Sequence, residues 1–539
     1  MTKSHSSSAA PRVRGAASQS ATNTVSRTAS SKSCCMLRPQ VARGLTYGLG
    51  FVAFFLFLGW VYGDVLSRAE QDSYVSTSSE TMHFLLSQPL GAVYACSRWA
   101  LLLFKSPWLG AFVLAGVYTL TARLLDYATC LPRRWEGLGF LAAGGQLAWM
   151  LYKGINLYYK NEPSLFLLIA AIVLVVSGIL AGGMWFIRRK RQTAVGSGVR
   201  PYGVLLACAL PAVATWAAYH YNDNVMRTAR FQLLTEAQDW NTIVEEAREA
   251  KQPSRAVAAY HAIALLQTDQ LLEGIFELPY DYPKERLEEH DGSEEYGLFL
   301  TDCNLYAGLL NCAYRNAMDQ MVMNGPRIYT LKRLALASLL NGEKELCQRY
   351  LTLLRQTPLE GDFVKRCETW LQHDDQLKAD DNWQRVLSRY PQEDLFEQNY
   401  RSPAFLGYNV GLSSGSDATL VTSIAACLYS KDLQSFIVRA QIWAQKGKTF
   451  PLCMQEALAI MALKQPEILD AFPQIGRFVP DQIRSFMVDA KPYVNDRLAL
   501  RRELRERWLG TYLYYYYTEN NDPDQVEKPA ENTQNAGVN

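Results

Sequence analysis

Acidic residues are missing from the first 43 positions, where seven basic ones stand: Lys3, Arg12, Arg14, Arg27, Lys32, Arg38 and Arg43. Histidine is scarce. His5, His83, His220, His261, His290 and His373 form no HExxH or other short-spaced metal set, and they are expected to be isolated and mostly exposed. No two of the eleven cysteines make a CxxC pair, which withdraws support for zinc-ribbon or thioredoxin chemistry. Eleven in 539 residues are also too few for a disulfide scaffold. No glycine-rich phosphate loop is present, and Asp291-Gly292-Ser293-Glu294-Glu295 lacks the spacing of a calcium loop. A net charge of +2 gives no reason to expect nucleic acid as a partner. Neither a metal nor a cofactor is therefore expected.

Long apolar runs are what the chain does have, although a mean hydropathy of -0.10 hides them. A bilayer core about 30 Å thick takes roughly 20 apolar residues in a helix. Five spans are read, at about 44–63, 107–125, 137–155, 164–187 and 201–219. Pro211 interrupts the last, which a helix in lipid tolerates when neighbours satisfy the freed carbonyl. The third is short, contains Gln146 and has to run past Lys153. The stretch 81–104 carries Pro89 and Gly91 at its centre and Arg98 in its second half. It reads as helix–break–helix, lying in the interface or dipping back into the bilayer. Counted instead as a sixth span, it would reverse the side of everything after it.

Basic residues set the orientation. The tail 1–43, the loop with Arg123, Arg133 and Arg134, and the loop with Arg188, Arg189, Lys190, Arg191 and Arg200 all fall on one side. Residues 1–43 are expected to be a disordered cytoplasmic tail, lacking the large apolar residues of a transit peptide. The first span would act as an uncleaved anchor, and the C-terminal half would lie outside the cytoplasm.

Residues 222–517 change to helical periods with short breaks, and 518–539 form an Asn/Asp/Glu/Pro-rich tail expected to be disordered. The expected fold class is all-α. The clearest unit is Leu331–Pro358, with Ala335 in one helix, Gly342 in the turn, and Cys347, Leu351 and Leu354 in the next. It looks like a tetratricopeptide hairpin. Further copies aligning Leu310 and Leu266 with Leu340 give spacings of 30 and 44 residues. Stacked hairpins of this kind build a solenoid with a concave groove.

The segments PxGxxxY (Pro89, Gly91, Tyr94), PWLGA at 107–111, AIALLQTDQL, LKRLALASLLNGEKELCQRYL, KDLQSFI, MQEALAI and GTYLYYYY follow one another in an order that resembles a known family. That family is an uncharacterised group of multi-pass inner-membrane proteins of Bacteroidetes with a tetratricopeptide-like domain facing the periplasm. The resemblance covers roughly residues 44–517 and implies location and architecture only. The tail 1–43 and the end 518–539 depart from it.

Candidate chemistry is thin. Asp64, Glu70 and Asp72 follow the first span on the outer side, where a carboxylate could deprotonate an acceptor hydroxyl or hold a metal–phosphate. The bland reading is a solvated loop. Gly411-Leu412-Ser413-Ser414-Gly415 matches G-x-S-x-G but lacks the strand before and the helix after that a nucleophile elbow needs. The six cysteines Cys303, Cys312, Cys347, Cys367, Cys427 and Cys453 are expected as buried thiols acting as small hydrophobes, with Cys347–Cys367 the pair that could meet. The aromatic run Tyr512–Tyr517 is expected to pack the last helix onto the domain.

The reading is an envelope membrane protein in contact with the lipid bilayer. Its exported half would act as a scaffold or interaction module for a protein or peptide. The alternative is a glycosyltransferase-like enzyme acting on a lipid-linked sugar or envelope polymer through Asp64, Glu70 or Asp72.

Overall fold

The computed structural model describes residues 39–129, 137–154, 165–189, 202–279, 294–391, 412, 416–473, 475–476 and 478–519. The tail up to residue 38, Cys130, Arg133, Arg134, Lys190, Arg191, Arg200, His290, Asp291–Ser293, the G-x-S-x-G segment except Leu412, and 520–539 lie outside the described residues. Every regular element among those described is helical.

Five helices form a bundle: α1 (Pro39–Leu56, continued by a π turn Phe57–Val61), α5 (Pro107–Ala128), α6 (Phe140–Lys153), α7 (Leu165–Arg189) and α8 (Tyr202–Tyr221). Between the first two lie α2 (Gly63–Gln71), α3 (Ser79–Ser87) and α4 (Gly91–Leu101), and α9 (Asp223–Ala237) follows the last.

Polar contacts at the two ends fix how the bundle runs. At one end the Tyr47 hydroxyl donates to Asp126 at 2.7 Å, and Asp126 accepts from the backbone N–H groups of Gly137 and Gly139. Gly137 itself abuts Gly203, where an added Cβ would lie 2.5 Å from the Gly203 Cα. At the other end Asn222 donates to the Leu151 carbonyl at 2.8 Å and to the Tyr62 hydroxyl, while the Phe104 and Phe166 rings meet at 5.7 Å. The five helices therefore alternate in direction, and the start of α1 and the end of α8 sit at opposite ends.

Four of the five are long and apolar enough to cross a membrane. The fifth, expected over 137–155, is helical for only 14 residues. Its end is stopped by Gly154 at φ +56°, and Gly137 at +102° turns the chain three residues before it begins. A 14-residue helix spans roughly 21 Å. Exposed aromatic side chains ring the bundle's two ends: Trp60, Trp108, Tyr152 and Trp216 at one, Trp185 and Tyr202 at the other. Exposed aliphatic residues such as Ile172, Val175, Ile179 and Val213 fill the space between. Such a belt is the pattern of a protein set in lipid.

The stretch 81–104 forms two helices folded on each other across Pro89. Leu90 at the tip has φ +61°, and Gly91 is required because a Cβ there would lie 2.2 Å from the Leu85 carbonyl oxygen. Phe84, Leu86, Leu90 and Trp99 are exposed on this hairpin.

The described residues of 223–519 build helical hairpins over a continuous core. Five of the hairpins share one turn. Its pivot has positive φ (Gln238, Asp269, Gly308, Gly342 and Lys431), and the next residue's N–H bonds back to the carbonyl five residues earlier. This is the Schellman arrangement, which caps the first helix and lets the second begin two residues past the pivot. The pairing of Ile328–Leu340 with Lys344–Arg355 is one instance. Its true counterpart upstream is the turn at Gly308, 34 residues before Gly342, rather than the alignment of Leu310 with Leu340: Leu310 opens a helix and Leu340 closes one. The six cysteines of this half are buried free thiols. Burial pushes the thiols of Cys347 and Cys367 up to about 12. Tyr512 and Tyr515 close the core against Phe276, and the Tyr515 hydroxyl donates to the Tyr429 carbonyl at 2.7 Å.

Candidate functional site

The segment 62–76 after the first span is buried nearly throughout. Val65, Leu66 and Ala69 belong to the bundle's core, while Tyr74 belongs to the core of the hairpins. A helix that is apolar on one side and polar on the other here finds both partners inside the protein. Backbone bonds then tie its continuation to the hairpins. Ile328 N–H donates to the Ser73 carbonyl, and Thr77 N–H to the Gln356 carbonyl, each at 2.9 Å. Ser67 is bonded to the Phe104 carbonyl at 3.0 Å on the bundle side.

The polar residues of this segment form an ionic junction. Arg68 donates to Gln232 at 2.9 Å and lies 3.4 Å from Asp72, whose other oxygen is 3.8 Å from Arg327. Lys332 donates to Gln71 at 2.9 Å and pairs with Glu360 at 3.1 Å and Glu236 at 3.5 Å. Glu360 is also paired with Lys105 from the start of the bundle. Burial opposes the Lys332 charge, yet Glu236 and Glu360 hold its pKa above the ordinary lysine range. Burial likewise opposes the Glu236 charge, and Lys332 and Arg333 outweigh it, leaving that carboxyl below its usual range. Burial, aided by the nearby Glu360 charge, pushes the Glu70 carboxyl up to about 7.

Of the three sequence candidates, Glu70 and Asp72 are thus enclosed in this junction, not held in a solvated loop. Asp64 alone is partly exposed, 3.7 Å from Arg230; burial raises its carboxyl and Arg230 lowers it. None of the three lines a described cavity. Burial in an alternating stretch such as GDVLSRAEQDSYVS is invisible to hydropathy, because Arg68, Gln71 and Asp72 meet partners far along the chain. His261 departs from the expectation of exposure: it is fully buried, and burial depresses its imidazole to about 3. Among the described residues no group of His, Cys, Asp and Glu is arranged to hold a metal.

A cleft of about 280 Å³ opens beside the junction. Lys105, Glu236, Lys332, Arg333 and Glu360 form its polar side, and Phe363, Trp370 and Trp383 its aromatic side. The sequence carried one signal of it. Lys332 and Arg333 stand in the helix Ile328–Leu340, all of whose residues are buried, and a buried charge is expensive without a partner. Arg333 pairs with the buried Asp302 and stacks on Tyr329 at 4.7 Å. Arg366 lies over Phe363 and Trp370 at 5.9 and 5.7 Å. The arrangement can present fixed donors and acceptors opposite flat apolar rings.

No curated protein and no solved structure matches this chain. A family model described as a family of unknown function, DUF6057, matches residues 38–178 and 140–519. Those matches take in the bundle, the junction and the hairpins together, and the chain belongs to that family.

Proposed function

We propose that this protein is a multi-pass membrane protein of the cell inner membrane whose hairpin half serves as a binding module for a protein or peptide partner in the periplasm. The observation that carries the reading is the buried segment 62–76, shared between the cores of both halves. A module joined in this way is held at a fixed height and angle above the bilayer, as a scaffold requires and a tethered domain does not supply. The shared turn of the hairpins supports a tetratricopeptide-like solenoid, whose stacked helices offer a continuous face to an extended or helical ligand.

The basic side chains near residues 123–134 and 188–200 support a cytoplasmic position for the end of the bundle where α1 begins. The hairpins then lie outside. The α3–α4 hairpin supports an interfacial role. A leucine kept at positive φ, where glycine would be unstrained, is explained by an apolar tip resting in lipid. The enzyme reading has less support, because Glu70 and Asp72 are closed off from any substrate.

The test joins sidedness to capture. A reporter active only outside the cytoplasm, fused at the C-terminal end, is expected to work, and the same reporter at the N-terminal end to fail. Cross-linking of the membrane-embedded chain is expected to trap one envelope protein through the hairpins. A C-terminal reporter active only in the cytoplasm, or trapping through α1–α8 alone, would overturn the reading.

A further inference from the structure

The junction cleft has a construction that partner docking leaves unexplained. Its polar side is charged but balanced. Lys105 and Lys332 are matched by Glu236 and Glu360, and Arg333 by Asp302 beneath it. At the rim Arg366 stands with Asp362 and Asp380. A balanced lining creates no field of one sign with which to select an ion. It does fix many donors and acceptors in place.

One atom in each of two of those groups lacks a hydrogen bond among the described residues. Arg333 has a side chain only 3% exposed, and its Nη2 is buried with no hydrogen bond. The Glu236 Oε1 is in the same condition. A buried, unmatched polar atom is costly. Here the residue with the unmatched donor and the residue with the unmatched acceptor both line the same cavity, the two atoms themselves lying just beneath its surface. Opposite them, the Trp370 and Trp383 rings stand edge to face at 6.2 Å, and Trp383 is backed by a stacked Tyr306 at 5.7 Å. Phe363 and Trp370 remain partly exposed.

A ligand that fits must offer hydroxyls able both to donate and to accept on one side, carry no net charge, and show a flat C–H face on the other. We infer that the cleft between Lys105, the Arg333–Glu236 floor and the Trp370 wall binds a neutral saccharide ring. A pyranose of β-gluco type has this shape, because its equatorial hydroxyls leave the ring faces apolar. The cavity's size, near the lower end of ligand sites, suits one or two rings. This goes beyond the partner-binding reading and does not depend on it. A sugar site at the foot of the hairpins would recognise a glycan lying close to the bundle.

The full chain in an amine-oxide detergent tests this, since maltoside and glucoside headgroups are themselves sugars. Saturation-transfer NMR with cellotriose is expected to show contact through the ring protons, with a Kd on the order of 1 mM. Sodium phosphate and glycylglycine in parallel samples are expected to neither bind nor compete. Trp370→Ala is expected to weaken cellotriose binding by about tenfold or more, from the loss of stacking and of covered ring surface. Arg366→Gln, at the exposed rim, provides a second variant with a smaller loss. Absence of transfer to cellotriose from the unaltered chain at about 10 mM sugar would overturn the inference whatever the variants do. So would phosphate or glycylglycine binding in its place, or undiminished binding by a folded Trp370→Ala protein.

Discussion

Asp72→Ala is expected to lower the unfolding free energy of the protein by about 3–5 kcal/mol, the cost of stranding buried cations. Asp72 is fully enclosed, and Arg68 and Arg327 lie on either side of it at 3.4 and 3.8 Å. The Arg68 guanidinium comes from the segment after the first span, and Arg327 from the edge of a hairpin helix. The loss would therefore fall on the joint between the two halves. Denaturant titration in detergent measures it. The double variant Asp72→Ala, Arg327→Met is expected to cost less than the two single changes added together, because one buried charge no longer faces an empty place. A single variant as stable as the parent would mean that the pair does not hold the joint.

Glu70→Gln is expected to act in the opposite direction, and only over part of the pH range. Its carboxyl has a pKa of about 7 in the folded chain, against an ordinary value of 4.5. The folded protein therefore keeps a proton that the unfolded chain releases between those limits. Its contribution to stability is fully present below 4.5 and is lost as pH rises to 7, a change of roughly 3 kcal/mol. Glu456 is raised to about 7 by burial in the same way, so the parent is expected to be less stable at pH 7.5 than at pH 5.5. Glu70→Gln keeps the shape and removes the ionisation. It should raise the unfolding midpoint at pH 7.5 and remove more than half of the net slope, because the depressed His261 imidazole opposes the remaining share of Glu456 over this range. A variant less stable than the parent at pH 7.5 would contradict this. The two substitutions also separate structure from catalysis. A catalytic trio would lose activity at both positions, whereas the junction predicts stability changes of opposite sign.

How much of this was legible in the sequence depended on whether the cause was local. Apolar length is local, and it located four long helices. The fifth helix fell short because it opens only at Phe140 and because Gly154 at positive φ, not hydropathy, sets its end. Hairpins were legible from helical periods, but their register was not. Glycine marks the pivot only at Gly308 and Gly342; Gln238, Asp269 and Lys431 adopt the same backbone without it. The alignment of leucines in its place matched a helix start to a helix end. The junction was the least legible part. Glu70 pairs with Gln71 beside it and feels Glu360 some 290 positions away, and Lys332 reaches Gln71 across 261. Acidic residues after a membrane span look solvated until the distant cations that surround them are known. The cleft's aromatic wall, drawn from Phe363, Trp370 and Trp383, gave no spacing that separates it from ordinary core positions.

The joint between bundle and hairpins is tested most directly by a cysteine pair at Thr77 and Gln356. The N–H of Thr77 donates to the Gln356 carbonyl at 2.9 Å, and neither side chain is buried, so the two positions are accessible to an oxidant. A backbone hydrogen bond of that length keeps the two Cα atoms close to the separation of roughly 4.4–6.8 Å that a disulfide bridges. Thr77→Cys with Gln356→Cys in the full chain, oxidised in native membranes, is expected to cross-link nearly completely within one molecule. After cleavage between residues 77 and 356 the two fragments should stay joined until reductant is added. Fragments that separate without reductant, alongside thiols that remain freely reactive, would show that the hairpins are not seated on the segment after the first span.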